Sequence, residues 1–248
     1  MKVLGIDTTA GVASVAVTEN GKILSSYYID SGNTHSATLL PMIESSLKTL
    51  ALKVSDIGLF ALSSGPGSFT GVRIGAATVK GLAFADSTPC VGVSSLEAMA
   101  ENLRSLEGII CPVINARSGR VYAALFSSDG QSAPRRLTSD DALPVEELRE
   151  ALLGFEGQNI YFVGDAYDIV KAATDLEGIK ETPLAIRQQN AAGVAFLGER
   201  KYRMATGAER EEMSAENLSV IYLRKPQAER EREARLAAET NNGEGDNK

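Results

Sequence analysis

Histidine is nearly absent: one imidazole, His35, stands among 248 residues, alongside only two cysteines, Cys90 and Cys111. A structural zinc site needs about four nitrogen or sulfur ligands, and a helix-borne metalloprotease site needs paired histidines, so both are excluded and no metal site is expected. A Ser-His-Asp triad would have to use His35, and no G-x-S-x-G elbow is present to offer the serine. A basic surplus is missing too. The 25 Lys and Arg against 32 Asp and Glu leave a net charge of −7, which argues against a broad cationic face for nucleic acid. No apolar run reaches the roughly eighteen residues of a membrane-spanning helix. The start, MKVLGIDTT, meets an acid at Asp7 before any apolar stretch typical of a signal peptide could form. Cys90 and Cys111 are expected to be reduced, buried thiols in a soluble cytoplasmic protein.

What is there is an α/β alternation. Residues 3–7 and 12–18 read as strands, and Asn20-Gly21 is the favoured hairpin dipeptide, so 22–29 returns as a third antiparallel strand. A helix follows over 35–52 with Thr34 as its N-cap. A buried strand spans 57–63, a sharp glycine loop 65–68, a second helix 69–85 and a short strand 90–93. Ser94 and Glu97 are placed as a capping box opening a third helix to about residue 103. The second half begins alike: 109–115 and 120–127 form a hairpin around Arg117-Ser118-Gly119, and a third strand is expected near 131–137. Helix 145–153, strand 160–163 and helices 166–173 and 191–206 complete it. The order βββαβα thus occurs twice without a sequence repeat, which predicts two similar lobes, 1–105 and 106–223. From 224 to 248 six basic and six acidic side chains accompany one large apolar residue, Leu236, and the segment reads as a charged, solvated tail.

Two stretches could carry phosphate chemistry. Asp7-Thr8-Thr9 closes the first strand at a tight turn, where a carboxylate can hold a metal ion and hydroxyls can donate to phosphoryl oxygens. Equally, Asp and Thr are ordinary turn residues that satisfy their own backbone amides. Gly65, Gly67 and Ser68, within SSGPGSFTG, could turn amides toward an anion at a helix N-terminus. They could equally permit close packing of strand on helix. No Gly-Lys-Ser/Thr follows, so this is not a Walker loop. In the second lobe's hairpin, Asn115 stands where an acid would neutralise a metal ion.

The two helices of the first lobe carry more apolar surface than one face requires. Leu40, Ile43, Leu47 and Leu50 form one stripe toward the sheet, and Leu39 and Met42, with Ser46, a second about 100° round. On the next helix Val72, Ala76, Val79 and Ala83 share a face, while Ile74, Ala77, Leu82 and Phe84 lie elsewhere. A partner's helices would cover such a surface, at His35, Leu39, Met42, Ser46, Val72, Arg73, Ala76 and Val79. The alternative cover is the chain's own C-terminal half.

Gly5-Ile6-Asp7-Thr8-Thr9, the stretch HSATLLP at 35–41, GPGSFTGVRIG at 65–75, Lys80-Gly81-Leu82-Ala83, Asn115-Ala116-Arg117 and Tyr222-Leu223-Arg224 follow in an order that resembles the bacterial TsaB (YeaZ) family. The resemblance spans about residues 1–224, and Asn115 departs from an Asp common there. It implies the two-lobed actin/sugar-kinase/Hsp70-like (ASKHA) fold. It further implies a non-catalytic subunit, required for N6-threonylcarbamoyladenosine in tRNA, that pairs through its N-lobe helices with a catalytic threonylcarbamoyltransferase of the same fold (TsaD-like). An ATPase subunit (TsaE-like) joins the pair, a homodimer forms when the chain is alone, and tRNA is reached only through the complex. No cofactor is required, although weak adenine nucleotide with magnesium is compatible with the cleft. The rival expectations are a small-metabolite kinase using Asp7 and the glycine loop, and a protease or regulator dependent on His35.

Overall fold

The structure is a computed structural model and describes residues 1–224; of the charged tail expected from 224 onward, all but Arg224 lies outside the described residues. The chain opens with β1 (Lys2–Asp7), β2 (Ala13–Glu19) and β3 (Lys22–Ile29), then α1 (His35–Thr49), β4 (Leu59–Ser63), α2 (Phe69–Phe84), β5 (Cys90–Val93) and α3 (Ser95–Asn102). The second half runs β6 (Glu107–Arg117), β7 (Arg120–Ala123), β8 (Phe126–Asp129), β9 (Arg135–Arg136) and β10 (Asp141–Pro144). It continues through α4 (Val145–Leu153), β11 (Ile160–Val163), α5 (Tyr167–Ala173), β12 (Ile179–Lys180), α6 (Ala191–Met204) and α7 (Gly207–Glu212). Asn20 and Gly21 both take positive φ, 50° and 77°, as the hairpin dipeptide requires.

The first sheet has the order β3-β2-β1-β4-β5, with β1, β4 and β5 parallel and β1 to β3 antiparallel. The second repeats that path as β10-β7-β6-β11-β12. The third strand of the repeat is therefore not at 131–137 as expected. Residues 135–136 pair with β8 and 141–144 with β7, so that strand is displaced toward the C-terminus and broken in two. The expected strand 120–127 is likewise two pieces along one edge of β6, interrupted at Ala124-Leu125. The β12 edge strand and α7 carried too short a pattern to read in advance.

Alternate strand residues sort onto two faces, as a pleat demands. Leu4, Ile6, Val15, Val17, Phe60 and Leu62 pack with α1 and α2, whereas Val3, Leu59, Ala61, Val91 and Val93 pack with Val194, Ala195 and Leu197 of α6. In the second sheet Ile109, Cys111, Val113 and Phe162 face α4 and α5, while Ile110, Ile114 and Phe126 meet Leu96, Met99 and Leu103 of α3. The first sheet draws its strands from residues 2–93 and the second from 107–180, while two helices cross between them. From the first half α3 covers the second sheet, and from the second half α6 covers the first. The layers are α1 and α2, first sheet, α6 with α3, second sheet, α4 and α5.

Candidate functional site

Strand β1 delivers Asp7, Thr8 and Thr9 to the point where β4 ends and α2 begins, and all three are buried. Asp7 Oδ1 accepts the Thr9 amide at 2.9 Å and the Thr9 hydroxyl at 2.6 Å. Its Oδ2 and the neighbouring Ser63 hydroxyl have no hydrogen-bond partner. Burial pushes the Asp7 carboxyl up from its ordinary value, against the lowering by the Thr9 bonds. Thr8 Oγ1 donates to the Gly71 carbonyl at 2.7 Å, and the Ser68 amide donates to the Thr9 carbonyl at 2.6 Å.

The sequence therefore brings Asp7, Thr8, Thr9, Gly65, Gly67 and Ser68 together, as the phosphate reading requires. The chemistry available there is nonetheless that of packing. A Cβ on Gly67 would fall on the Thr9 carbonyl, one on Gly71 on the Thr8 carbonyl, and one on Gly65 on the Ile221 carbonyl. The Ser68 hydroxyl caps α2 through the Gly71 amide at 3.3 Å. Ser95 donates its amide to the Gly65 carbonyl and its hydroxyl to the Pro66 carbonyl. The hydroxyls of Thr8, Thr9 and Ser68 and the amides of Thr9, Ser68 and Gly71 serve the turn and the helix, while Asp7 Oδ2 and the Ser63 hydroxyl remain without a partner.

His35 begins α1, and its Nε2 donates to the Ala10 carbonyl at 2.7 Å, tying helix to turn. No three His, Cys, Asp or Glu side chains converge on a point among the described residues. In the second lobe, Asp165, from the turn after β11, accepts the Asn115 amide at 2.8 Å. Asn115 Oδ1 in turn accepts the Arg117 amide. The sequence reading missed this acid, because it came from a different loop than the hairpin; only the Gly164-Asp165 pair after a strand could have signalled it. Arg120 holds the Ala142 carbonyl with two donors and is structural.

The expected partner face needs correction. Leu39, Met42 and Ser46 of α1, and Val72, Ala76 and Val79 of α2, lie inside the chain's own core. Ser46 turned inward because its hydroxyl pairs with that of Ser25 on β3, at 2.5 Å. Leu40, assigned to the sheet, is 55% exposed. His35 is half-buried, and Arg73 is exposed on the outer side of α2. One flank of α2 is covered by the chain itself: Leu218, Ala215 and Val220 join its core cluster, and Lys80 Nζ reaches the Glu216 carbonyl at 3.3 Å. The outward faces left are Ser36, Ala37, Leu40, Pro41 and Glu44 on α1, and Thr70, Arg73, Ala77, Gly81 and Phe84 on α2.

Residues 29–232 match the family model described as TsaD, tRNA N6-adenosine threonylcarbamoyltransferase. The tRNA threonylcarbamoyladenosine biosynthesis protein TsaB of Escherichia coli K12 is 30% identical over 226 residues, 90% of this chain and 95% of that protein. Its counterpart in Bacillus subtilis 168 is 29% identical over 204 residues, 81% and 88% of the two chains. The crystal structure of YeaZ from Pseudomonas aeruginosa superposes with a TM-score of 0.72 at 27% identity, covering 90% of this chain and 99% of that one. The repeated strand path and these end-to-end likenesses agree on a two-lobed ASKHA-like fold, and the chain belongs to the TsaB (YeaZ) family.

Proposed function

We propose that the chain acts in N6-threonylcarbamoyladenosine modification of tRNA as a non-catalytic subunit that binds and supports a catalytic threonylcarbamoyltransferase of the same fold. The observation that carries this reading is how the candidate site is used. Its one imidazole is bonded to the Ala10 carbonyl, and its glycine loop is packed against Thr8 and Thr9. A site whose imidazole is committed to a carbonyl and whose glycine loop is filled by backbone has little to offer acyl or phosphoryl transfer. The likeness to TsaB proteins along most of the chain supports the tRNA pathway, and the TsaD family match supports a TsaD-like partner of related shape. The net charge of −7 supports tRNA being held by other subunits.

The partner face is the outer side of α1 and α2, centred on Leu40 and Ala77. Phe84, 84% exposed, lies at one end of this face. A second copy takes the same face when the partner is absent, giving an isologous homodimer. An ATPase subunit joins the pair, as the family resemblance implies. The chain brings no cofactor of its own; a nucleotide with magnesium would require α2 to move off the β1–β2 turn. Two unpaired buried thiols suit a cytosolic setting.

Leu40→Asp and Ala77→Asp, co-purified and titrated against the catalytic subunit, are expected to weaken binding by roughly 100-fold, as burying an unpaired charge at an interface centre does. Their melting temperatures should match the parent's, and cellular threonylcarbamoyladenosine, read by mass spectrometry of tRNA, should fall. Unchanged affinity would move the face elsewhere, while ATP hydrolysis, peptide cleavage or tRNA modification by the isolated chain would overturn the non-catalytic role.

A further inference from the structure

The Tyr222-Leu223-Arg224 motif borders the partner face at Arg73 and is bonded at both ends. The chain leaves α7, gives the Met213 carbonyl to the Cys90 amide at 2.8 Å, and runs back along α2 toward its N-terminus. There the Ile221 amide donates to the Ser64 carbonyl at 2.8 Å, and Gly65 leaves room for the Ile221 carbonyl. The Tyr222 ring lies 4.7 Å from that of Phe69. The Arg73 guanidinium sits 3.8 Å above the Phe69 ring, and Arg73 Nε donates to the Tyr222 hydroxyl at 2.8 Å. Two residues on, Arg224 Nη1 donates to the Ala116 carbonyl and, at 3.2 Å, to the Arg117 carbonyl. Those carbonyls belong to the turn between β6 and β7, where Arg117, Ser118 and Gly119 all take left-handed φ.

The geometry points to an interlobe strap: residues 221–224 fasten the first turn of α2 to the end of β6 and its turn, and hold these parts of the two lobes at one separation. The anchors suit the task. An arginine stacked on one ring and bonded to the hydroxyl of a second, itself packed on the first, is a contact that a small shear does not break. A guanidinium with five donors in a planar fork can hold two adjacent carbonyls from one direction. The anchors act in series, because Leu223 is the one residue between them. Releasing either end therefore removes this tie, and the distance between the second lobe's turn and the helix that carries the partner face then spreads within the limits set by the shared helices α3 and α6.

Spin labels on Thr70→Cys and Ser118→Cys in the full chain report this separation by pulsed dipolar spectroscopy. Both positions are exposed, while Cys90 and Cys111 are buried and take no label. The labelled parent, diluted about tenfold with unlabelled chain so that labels on two copies do not pair, should give one narrow distance distribution. Arg224→Ala and Tyr222→Ala should each widen it, and the double variant should widen it no further than either alone. Either single variant keeping the parent's distribution overturns the strap, as does a double variant whose widening is the sum of the two. Far-UV circular dichroism identifies a variant that has not folded, and Arg224→Met or Tyr222→Leu, which keep the apolar bulk, then take its place. The measurement uses the chain alone, so it stands or falls separately from the partner reading.

Discussion

Asp7 brings a carboxyl into the interior, with one oxygen bonded twice by Thr9 and the other unbonded. Burial raises its pKa from the ordinary 3.8, so the folded chain holds this proton more tightly than the unfolded chain does. Its contribution is therefore most favourable at low pH and is lost as pH rises from about 3.8 through the raised folded value, the reverse of a salt-bridged carboxylate. Asp7→Asn keeps an acceptor for the Thr9 amide and hydroxyl while removing the buried charge. The variant should melt above the parent at pH 7, by a shift on the order of the 2–4 °C that 1 kcal/mol gives a domain of this size. The gap should close as pH is lowered toward 5. Thermal scans at pH 5, 6, 7 and 8 check this, and a variant less stable than the parent at pH 7 would show that Asp7 holds a cation or donor that the fold depends on. The same residue shows why a phosphate motif is hard to judge from its letters: Asp, Thr and Gly suit an anion site and a satisfied turn for the same hydrogen-bonding reasons.

Two of the three glycines in helix α2 have opposite meaning. At Gly71 a Cβ would collide with the Thr8 carbonyl, a buried backbone atom just after β1, so Gly71→Ala must push the helix off the turn; a loss of more than about 3 kcal/mol is expected. At Gly81 nothing lies within 4 Å of the same atom. Gly81→Ala should raise stability by roughly 0.5–1 kcal/mol through helix propensity. If the outer face of α2 is packed closely by a partner, this stabilised variant should bind it more weakly. Urea denaturation and a binding titration on both variants separate the effects, and equal stability losses at the two sites would refute the assignment. The elements themselves were legible. The strand 22–29, the strand 90–93 and the helix 145–153 match their expected bounds, because an Asn-Gly turn, a β-branched run and an acidic first turn punctuate them. Ser94 accepts the Glu97 amide as expected, although the Glu97 carboxylate leaves the cap for Arg136 and Arg200. Which face of a helix turns inward was not legible. The buried arc of α1 is 39, 42, 43, 46 and 47, a regular helical spacing disguised by Ser46, whose partner Ser25 is 21 residues away. The candidate site was legible as a cluster for which packing and anion binding read alike, since the atoms that close on its glycines are carbonyls of Thr8, Thr9 and Ile221, which leave no mark in a side-chain pattern.

On the scale of the whole chain, the two halves exchange helices, and neither can finish its core alone. Strands β1 to β5 expose Val3, Leu59, Ala61, Val91 and Val93 on the face that only α6 covers, with Val194, Ala195 and Leu197 fitted against them. The fit is close: Gly5 admits the Ala191 carbonyl, Gly198 lies on Ala61, and Gly193 on the Ala98 carbonyl of α3. In return α3 carries Leu96, Met99 and Leu103, whose partners Ile110, Ile114 and Phe126 belong to the second sheet. A fragment of residues 1–105 therefore presents two uncovered apolar surfaces, one side of its sheet and one side of α3, although its length is ample for a domain. It should show no cooperative thermal transition and should aggregate or bind a hydrophobic dye. The intact chain should melt as one unit, because the helices shared between lobes couple them. Mixing 1–105 with 106–248 should restore the cooperative transition at the intact chain's near-ultraviolet signal. Calorimetry on the fragments, the mixture and the intact chain decides the point: two separate transitions in the intact chain, or a cooperative melt of 1–105 alone, would mean that each lobe's core is complete without the helix borrowed from the other.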